Sequence, residues 1–470
     1  MAALPAATGP APAAAAPATK PRWRSMMRAA VVLAVAVLGF TTACSGAGGG
    51  GAESNTVTIA IVSNPQMQDI QQLSSEFKKD HPNLNLRFVT LPENELRDRV
   101  TQDIATKGGQ YDVVMIGTYE TPIWAKNGWL TKLGSYANKG DYDVNDLIPP
   151  VREALSYQNN LYAVPFYGES SFLMYRKDLF AKAGITMPSH PTWAQVASYA
   201  QKLNDPKHNV AGICLRGLPG WGEVLAPLDT VINTFGGQWY DEHWNAKLTS
   251  PDTKRAVQFY VDLVRKYGEP GAPNAGFSEC LTSTSQGNAA MWYDATVGAG
   301  SLEDPKTSKV AGKMGYVAAP VDKTKSSGWL WAWSLAIPET SKRKDAAWQF
   351  VSWATSKKYL KLAGEKLGWA RVPPGSRMST YQLPEYKKAA GAFAGPTLES
   401  IQNVNVKQPG LYPQPWVGVQ YVAIPEFQDL GTKVSQEISA AIAGRQSVDA
   451  ALAKAQKYAE DTAVKGGYKK

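Results

Sequence analysis

Histidine and cysteine are scarce in this chain of 470 residues: His81, His190, His208 and His243 stand apart, and only Cys44, Cys214 and Cys280 carry thiols. There is no CxxC pair and no histidine cluster, so the ligand spacing of a metal or dithiol centre is missing, and neither a metal nor an organic cofactor is expected. Long apolar runs are also absent. The longest, Ala29 to Phe40, has 12 residues, well short of the ~20 that span a bilayer. Acyl-transfer motifs are missing too: no G-x-S-x-G elbow occurs, and Ser75-Glu76-Phe77-Lys78 fits S-x-x-K with no K-T-G to accompany it, so Ser75 and Lys78 read as helix surface. A basic stripe is lacking as well. Lys20, Arg22, Arg24 and Arg28 precede Cys44, and without them the formal charge of +9 falls to +5. Elsewhere cations and carboxylates alternate, as in Lys342-Arg343-Lys344-Asp345, which excludes the field a phosphate backbone needs; no nucleic-acid partner is expected.

What is present begins with an export leader. Residues 1–21 are Ala/Pro-rich with no period. Arg22, Arg24 and Arg28 then precede the apolar run, in the order of a signal peptide. Directly after it stands Thr41-Thr42-Ala43-Cys44-Ser45-Gly46. An apolar core ending in a small residue and then Cys resembles a bacterial lipobox, although Thr41 occupies a position usually held by Leu. The reading is a signal peptide over 1–43, a lipid anchor on Cys44 and a flexible tether over 44–55. The chain would sit on the outer face of the cytoplasmic membrane. Two thiols remain, Cys214 and Cys280, and in an oxidising compartment they are expected to form a disulfide.

From Thr56 the pattern alternates between strand and helix. Val57–Val62 reads as a buried strand, Met67–Asp80 as an amphipathic helix, Leu84–Val89 as a second strand, Glu93–Thr106 as a helix and Tyr111–Gly117 as a third strand. This order predicts an α/β fold with a parallel sheet covered on both faces. Ligands gather at the carboxyl ends of such strands, which singles out Asn64, Gln66 and Tyr119. Further strands are expected at Ser171–Tyr175, Met291–Asp294, Gly315–Ala319 and Ser334–Pro338, and helices at Lys344–Ser356 and Gln446–Ala463. The basic segment Tyr458–Lys470 reads as a frayed end.

Three segments carry a resemblance. Tyr162-Ala163-Val164-Pro165-Phe166 with Tyr175 to Gly184 and Pro191-Thr192-Trp193, then Gly287 to Trp292, then Gly328 to Pro338 with Ala346 to Phe350, are similar in content and order to family 1 extracellular solute-binding proteins, the group of maltose-binding protein. Phe166 to Ser170, Cys214 to Gly217 and Trp331 to Ser334 look most like members that bind hexitols. The resemblance implies a two-lobed periplasmic-binding-protein clamshell of type II with three inter-lobe crossings. Lobe I would comprise 56–164 and 319–355, and lobe II 165–318 and 356–470. It further implies a monomer, not an enzyme, that delivers a sugar or sugar alcohol to the permease subunits of an ABC importer.

The residues themselves point to the same chemistry. A polyhydroxyl solute offers C–H faces and hydroxyls, so its receptor needs flat aromatic surfaces and fixed hydrogen-bonding groups. Candidates are Tyr167 and Glu169 after the first crossing, Arg216 beside Cys214, Trp292 and Asp294, Trp331 and Trp333 with Trp329 on one strand face, and Arg371 before Pro373-Pro374. Trp221 and Trp239 come after these. For each charged residue the alternative is a structural ion pair. Two other functions stay open: an exported carbohydrate-active enzyme using Glu169 and Asp294 as acid and base, and a surface adhesin or peptide-binding module.

Overall fold

The computed structural model describes residues 55–140 and 142–469. The leader and Cys44 lie outside them. Among the described residues, ten strands form two principal sheets and a hairpin. β1 (Thr56–Val62), β2 (Asn85–Leu91) and β3 (Val113–Ile116) are joined by the helices Pro65–Asp80 and Glu93–Thr106. β1 pairs in parallel with both β2 and β3. All but its first residue are buried, which is why it reads as a continuous apolar run rather than an alternation. After the short hairpin β4 (Ser156–Tyr157) and β5 (Asn160–Leu161) comes β6 (Ala163–Glu169).

The parallel pairing expected of β1, β2 and β3 holds, and the sheet beyond them does not continue it. β10 (Trp331–Ala336) returns from far along the chain, inserts between β3 and β6 and runs antiparallel to both. β6 stays in this first sheet through Glu169, and after the single residue Ser170 the backbone enters β7 (Ser171–Arg176) of the second sheet. There β7 is flanked by β8 (Met291–Ala295) and β9 (Met314–Ala318), antiparallel to each. The passage between sheets is tight. A Cβ on Gly168 would lie 2.4 Å from the Gly375 carbonyl oxygen, and Gly375 itself has φ +68°, so both positions require glycine.

The C-terminal end corrects another expectation. It is not frayed: the helix Val448–Lys465 buries Ala451, Ala455, Ala459 and Ala463, a stripe of small residues at four-residue spacing that lets it pack closely on its neighbours. Beyond it the Tyr468 ring stacks on Trp244 at 4.5 Å, and its hydroxyl donates to Glu426 at 2.8 Å. Among the described residues no helix is long and apolar enough to cross a membrane.

Candidate functional site

Between the two sheets lies a cavity of about 300 Å³, walled by residues from strand ends, helix starts and loops of both halves. On the side of the first sheet, Asn64 ends the loop after β1 and caps the helix Pro65–Asp80. Its Oδ1 accepts from the Met67 N–H at 2.9 Å while its Nδ2 donates to the Tyr167 hydroxyl at 2.8 Å. One side chain thus starts a helix and orients a cavity-lining ring. The next strand end, after β2, starts the helix Glu93–Thr106, whose Glu93 and Arg97 line the cavity one turn apart. Arg97 pairs with Glu93 at 2.9 Å and with Glu120. Its guanidinium also lies 4.0 Å from the Trp221 ring centroid and 4.9 Å from those of Trp331 and Trp333. Burial works to lower the pKa of Arg97, and the carboxylates of Glu120 and Glu93 more than offset it, so it stays charged.

The opposite wall is built around Arg216. Its Nε and Nη2 donate to the two oxygens of Asp294 at 2.9 and 2.5 Å. Its Nη1 reaches the Gly222 carbonyl at 2.8 Å and Glu223 at 3.3 Å. Two residues before it, Cys214 is joined to Cys280 in a disulfide with Cα atoms 5.6 Å apart. Cys280 sits on the helix Phe277–Ser285, which contributes Phe277, Ser278 and Glu279 to the wall. The disulfide therefore staples together two cavity-lining segments. It also occupies both thiols of the Cys214–Glu269–Cys280 group, leaving no metal-ligand set there.

Glu169, the last residue of β6, lies at the floor and is only 6% exposed. Burial pushes its carboxyl up to about 8; Arg216 opposes the shift, while Asp294 and Glu93 add to it. Glu223 is raised to about 8 as well, by burial first, against the pull of Arg216. A buried carboxyl in this range exchanges its proton near neutrality and can accept or donate to a hydroxyl.

Of the residues singled out from the sequence, Asn64, Tyr167, Glu169, Arg216, Trp331 and Trp333 line this cavity, together with Trp329 and Trp221. Five do not. Asp294 and Trp292 stand behind the wall, with the Trp292 indole N–H and Arg216 both donating to the Asp294 carboxylate; Asp294 is the counter-ion of Arg216. Gln66, the second residue of the helix Pro65–Asp80, is buried. Tyr119 packs in an aromatic cluster against Trp221 and Tyr421, with its hydroxyl donating to the Ile424 carbonyl at 3.0 Å. Arg371 pairs with Asp69 and, at 3.2 Å, with Asp304, tying the helix Pro65–Asp80 to the segment that leads into β9. Trp239 is also absent from the lining and donates to Asp229 at 3.1 Å.

Glu93, Arg97, Glu223, Phe277 and Gln420 line the cavity and were not singled out. The strand-end rule that found Asn64 would also have found Glu93 and Arg97, because they follow the carboxyl end of β2. A Glu and an Arg four residues apart on a helix are, however, the ordinary signature of a surface ion pair.

This geometry has known parallels. The family described as bacterial extracellular solute-binding protein matches residues 63–361. A mannitol-binding protein of Pseudomonas aeruginosa is 45% identical over 429 residues, covering 91% of this chain and 98% of that protein. The crystal structure of a solute-binding protein from Agrobacterium vitis with bound D-mannitol aligns with TM-score 0.87 and 51% identity, over 88% of this chain and 100% of that one. A solute-binding protein from Agrobacterium radiobacter in complex with ribitol aligns with TM-score 0.76 and 27% identity, over 86% and 98% of the two chains. The fold is therefore the two-lobed, type II periplasmic-binding architecture, with mixed α/β lobes.

Proposed function

The chain belongs to the bacterial extracellular solute-binding proteins and is not an enzyme, and from that premise we propose that it captures a hexitol, D-mannitol foremost, for an ABC importer. Membership follows from the match over residues 63–361 and the 45% identity to a mannitol-binding relative. The observation that carries the solute is the cavity's make-up. Indole faces of Trp221, Trp329, Trp331 and Trp333 supply apolar walls, and two guanidiniums with Glu169 and Glu223 supply fixed donors and acceptors. An acyclic polyol has adjacent hydroxyls along its length, each both donor and acceptor, and it matches such an alternating set without a ring-shaped slot.

The lobes divide by sheet membership in this reading, so the first crossing falls at Ser170 rather than at 164/165. Solute held by Arg97 and Trp331 on one side and Arg216 on the other stabilises the closed state by its differential affinity, and the permease reads closure. Anchoring through an acylated Cys44 would keep the receptor at the outer face of the cytoplasmic membrane. The test is calorimetry and thermal shift on the mature chain with Cys44 replaced, against hexitols, pentitols, monosaccharides, disaccharides and amino acids, with product analysis. A 1:1 complex with an unaltered hexitol supports the reading. Binding confined to sugars or amino acids, or no small solute bound at all, sinks it.

A further inference from the structure

Acidic groups outnumber basic ones in the cavity. Its lining holds four carboxyl groups, Glu93, Glu169, Glu223 and Glu279, against two guanidiniums, Arg97 and Arg216. Both guanidiniums are already answered: Arg97 by Glu93 and Glu120, Arg216 by Asp294 and Glu223. Glu279 is engaged at its helix start, where it accepts the Gly276 N–H at 2.9 Å. Glu169 differs from the rest. It is buried, it lines the cavity, and among the described residues it takes part in no ion pair. A polyol's hydroxyls can satisfy its oxygens, but a positive group would satisfy them better, since it adds to the hydrogen bond the attraction of opposite charges in a low-dielectric site. A negative group would meet an uncompensated carboxylate at low dielectric.

We infer that the cavity selects by charge among polyols, admitting a chain that ends in a primary ammonium, held by the Glu169 carboxylate, and rejecting the same chain ending in carboxylate or phosphate. This rests on the polyol reading above and deepens it. Glu169 is faced by Arg216 from the Cys214 loop, by Asp294 from β8 and by Glu93 from the helix after β2. Arg216 is the only cation among these groups and is shared with two other carboxylates. Below the pH at which Glu169 ionises, capture of an ammonium expels the carboxyl proton to solvent. Affinity for the amine therefore rises with pH until Glu169 is ionised, while affinity for a neutral polyol changes less.

The experiment compares D-mannitol, 1-amino-1-deoxy-D-mannitol and D-mannonate by calorimetry on the mature chain at pH 6 and pH 8. At pH 8 the amine is expected to bind at least as tightly as mannitol, and mannonate at least 100-fold more weakly. In Glu169→Gln the ratio of amine to mannitol affinity should fall at least tenfold, a readout that general loosening of the cavity would not move. An amine bound 100-fold more weakly than mannitol by the unmodified protein overturns the inference without recourse to any variant. So does an amine-to-mannitol ratio unchanged in E169Q. If no neutral polyol binds but the amine does, the functional reading falls and the charge selection stands. If none of the three binds, both fall.

Discussion

Arg97 and Arg216 face one cavity from opposite walls, yet they are held in different ways. Arg216 is clamped by one half of the molecule: Asp294 grips it by both oxygens, the Gly222 carbonyl takes a third bond, and a disulfide lies two residues away. Arg97 rides on the second helix with Glu93 and pairs with Glu120 from the helix start after β3, and its faces are covered by Trp331 and Trp333 from β10 and by Trp221 from across the cavity. In the clamshell proposed above, the first arrangement is complete within one lobe and the second only when the lobes meet, so that Arg216 is a preset template and Arg97 is the group whose surroundings report closure.

The strongest way to break that comparison is to strip the template. Asp294→Ala leaves Arg216 buried without its main counter-ion, a change that costs about 3–5 kcal/mol in comparable sites. Calorimetry should show hexitol binding weakened by more than 100-fold, and the melting temperature should drop. An affinity within threefold of the unmodified protein would deny Arg216 its template role. Next in size is the double change C214S and C280S. The disulfide closes a 66-residue separation, worth about 4 kcal/mol by loop-closure entropy. Scanning calorimetry of the ligand-free protein should register most of that loss.

A smaller effect tests the other wall. Trp221→Leu removes the ring 4.0 Å from Arg97 that comes from the facing side, and a buried cation–π contact of this kind is worth about 2 kcal/mol. Affinity should fall about tenfold to thirtyfold, through faster dissociation, while the scattering profile of the ligand-free protein stays the same. An equal loss of affinity and ligand-free stability would instead make Trp221 part of the static core.

The smallest effect per step is in pH. Glu169 and Glu223 titrate near 8 when buried, against an ordinary value of 4.5. Between these limits the folded state holds more protons than the unfolded one, so the stability of the ligand-free protein falls as pH rises from about 5 to about 8. The slope is at most about 1.4 kcal/mol per pH unit for each proton. Glu169→Gln should flatten it, as followed by melting temperature across that range.

Much of the fold was legible in the residues. β1, the helix over Glu93–Thr106 and the terminal helix from Val448 follow from local apolar patterning, because burial on both faces leaves a continuous apolar run and burial of one helix face writes a period of 3.6 into the chain. Asn64 was legible through its strand end, and Tyr167, Glu169 and Arg216 through motifs that lie close to the crossing. Arg371 and Asp294 were singled out yet fall outside the cavity lining, for a common reason: a charged residue on a rigid element reads the same in sequence whether it faces the cavity or braces the wall behind it. Arg97 was hidden by the reverse ambiguity, a surface-like pair that the fold buries.

By itself, then, the sequence determined the elements and the family, since each rests on patterns or motifs spanning a few tens of residues. Tertiary structure alone decided that β10 returns antiparallel between β3 and β6, bringing Trp331 and Trp333 onto Arg97 from more than 230 positions away. It also decided which carboxylate answers which guanidinium. Those choices depend on distances of a few ångströms between groups far apart in the chain, and in a low-dielectric interior such distances govern the energy.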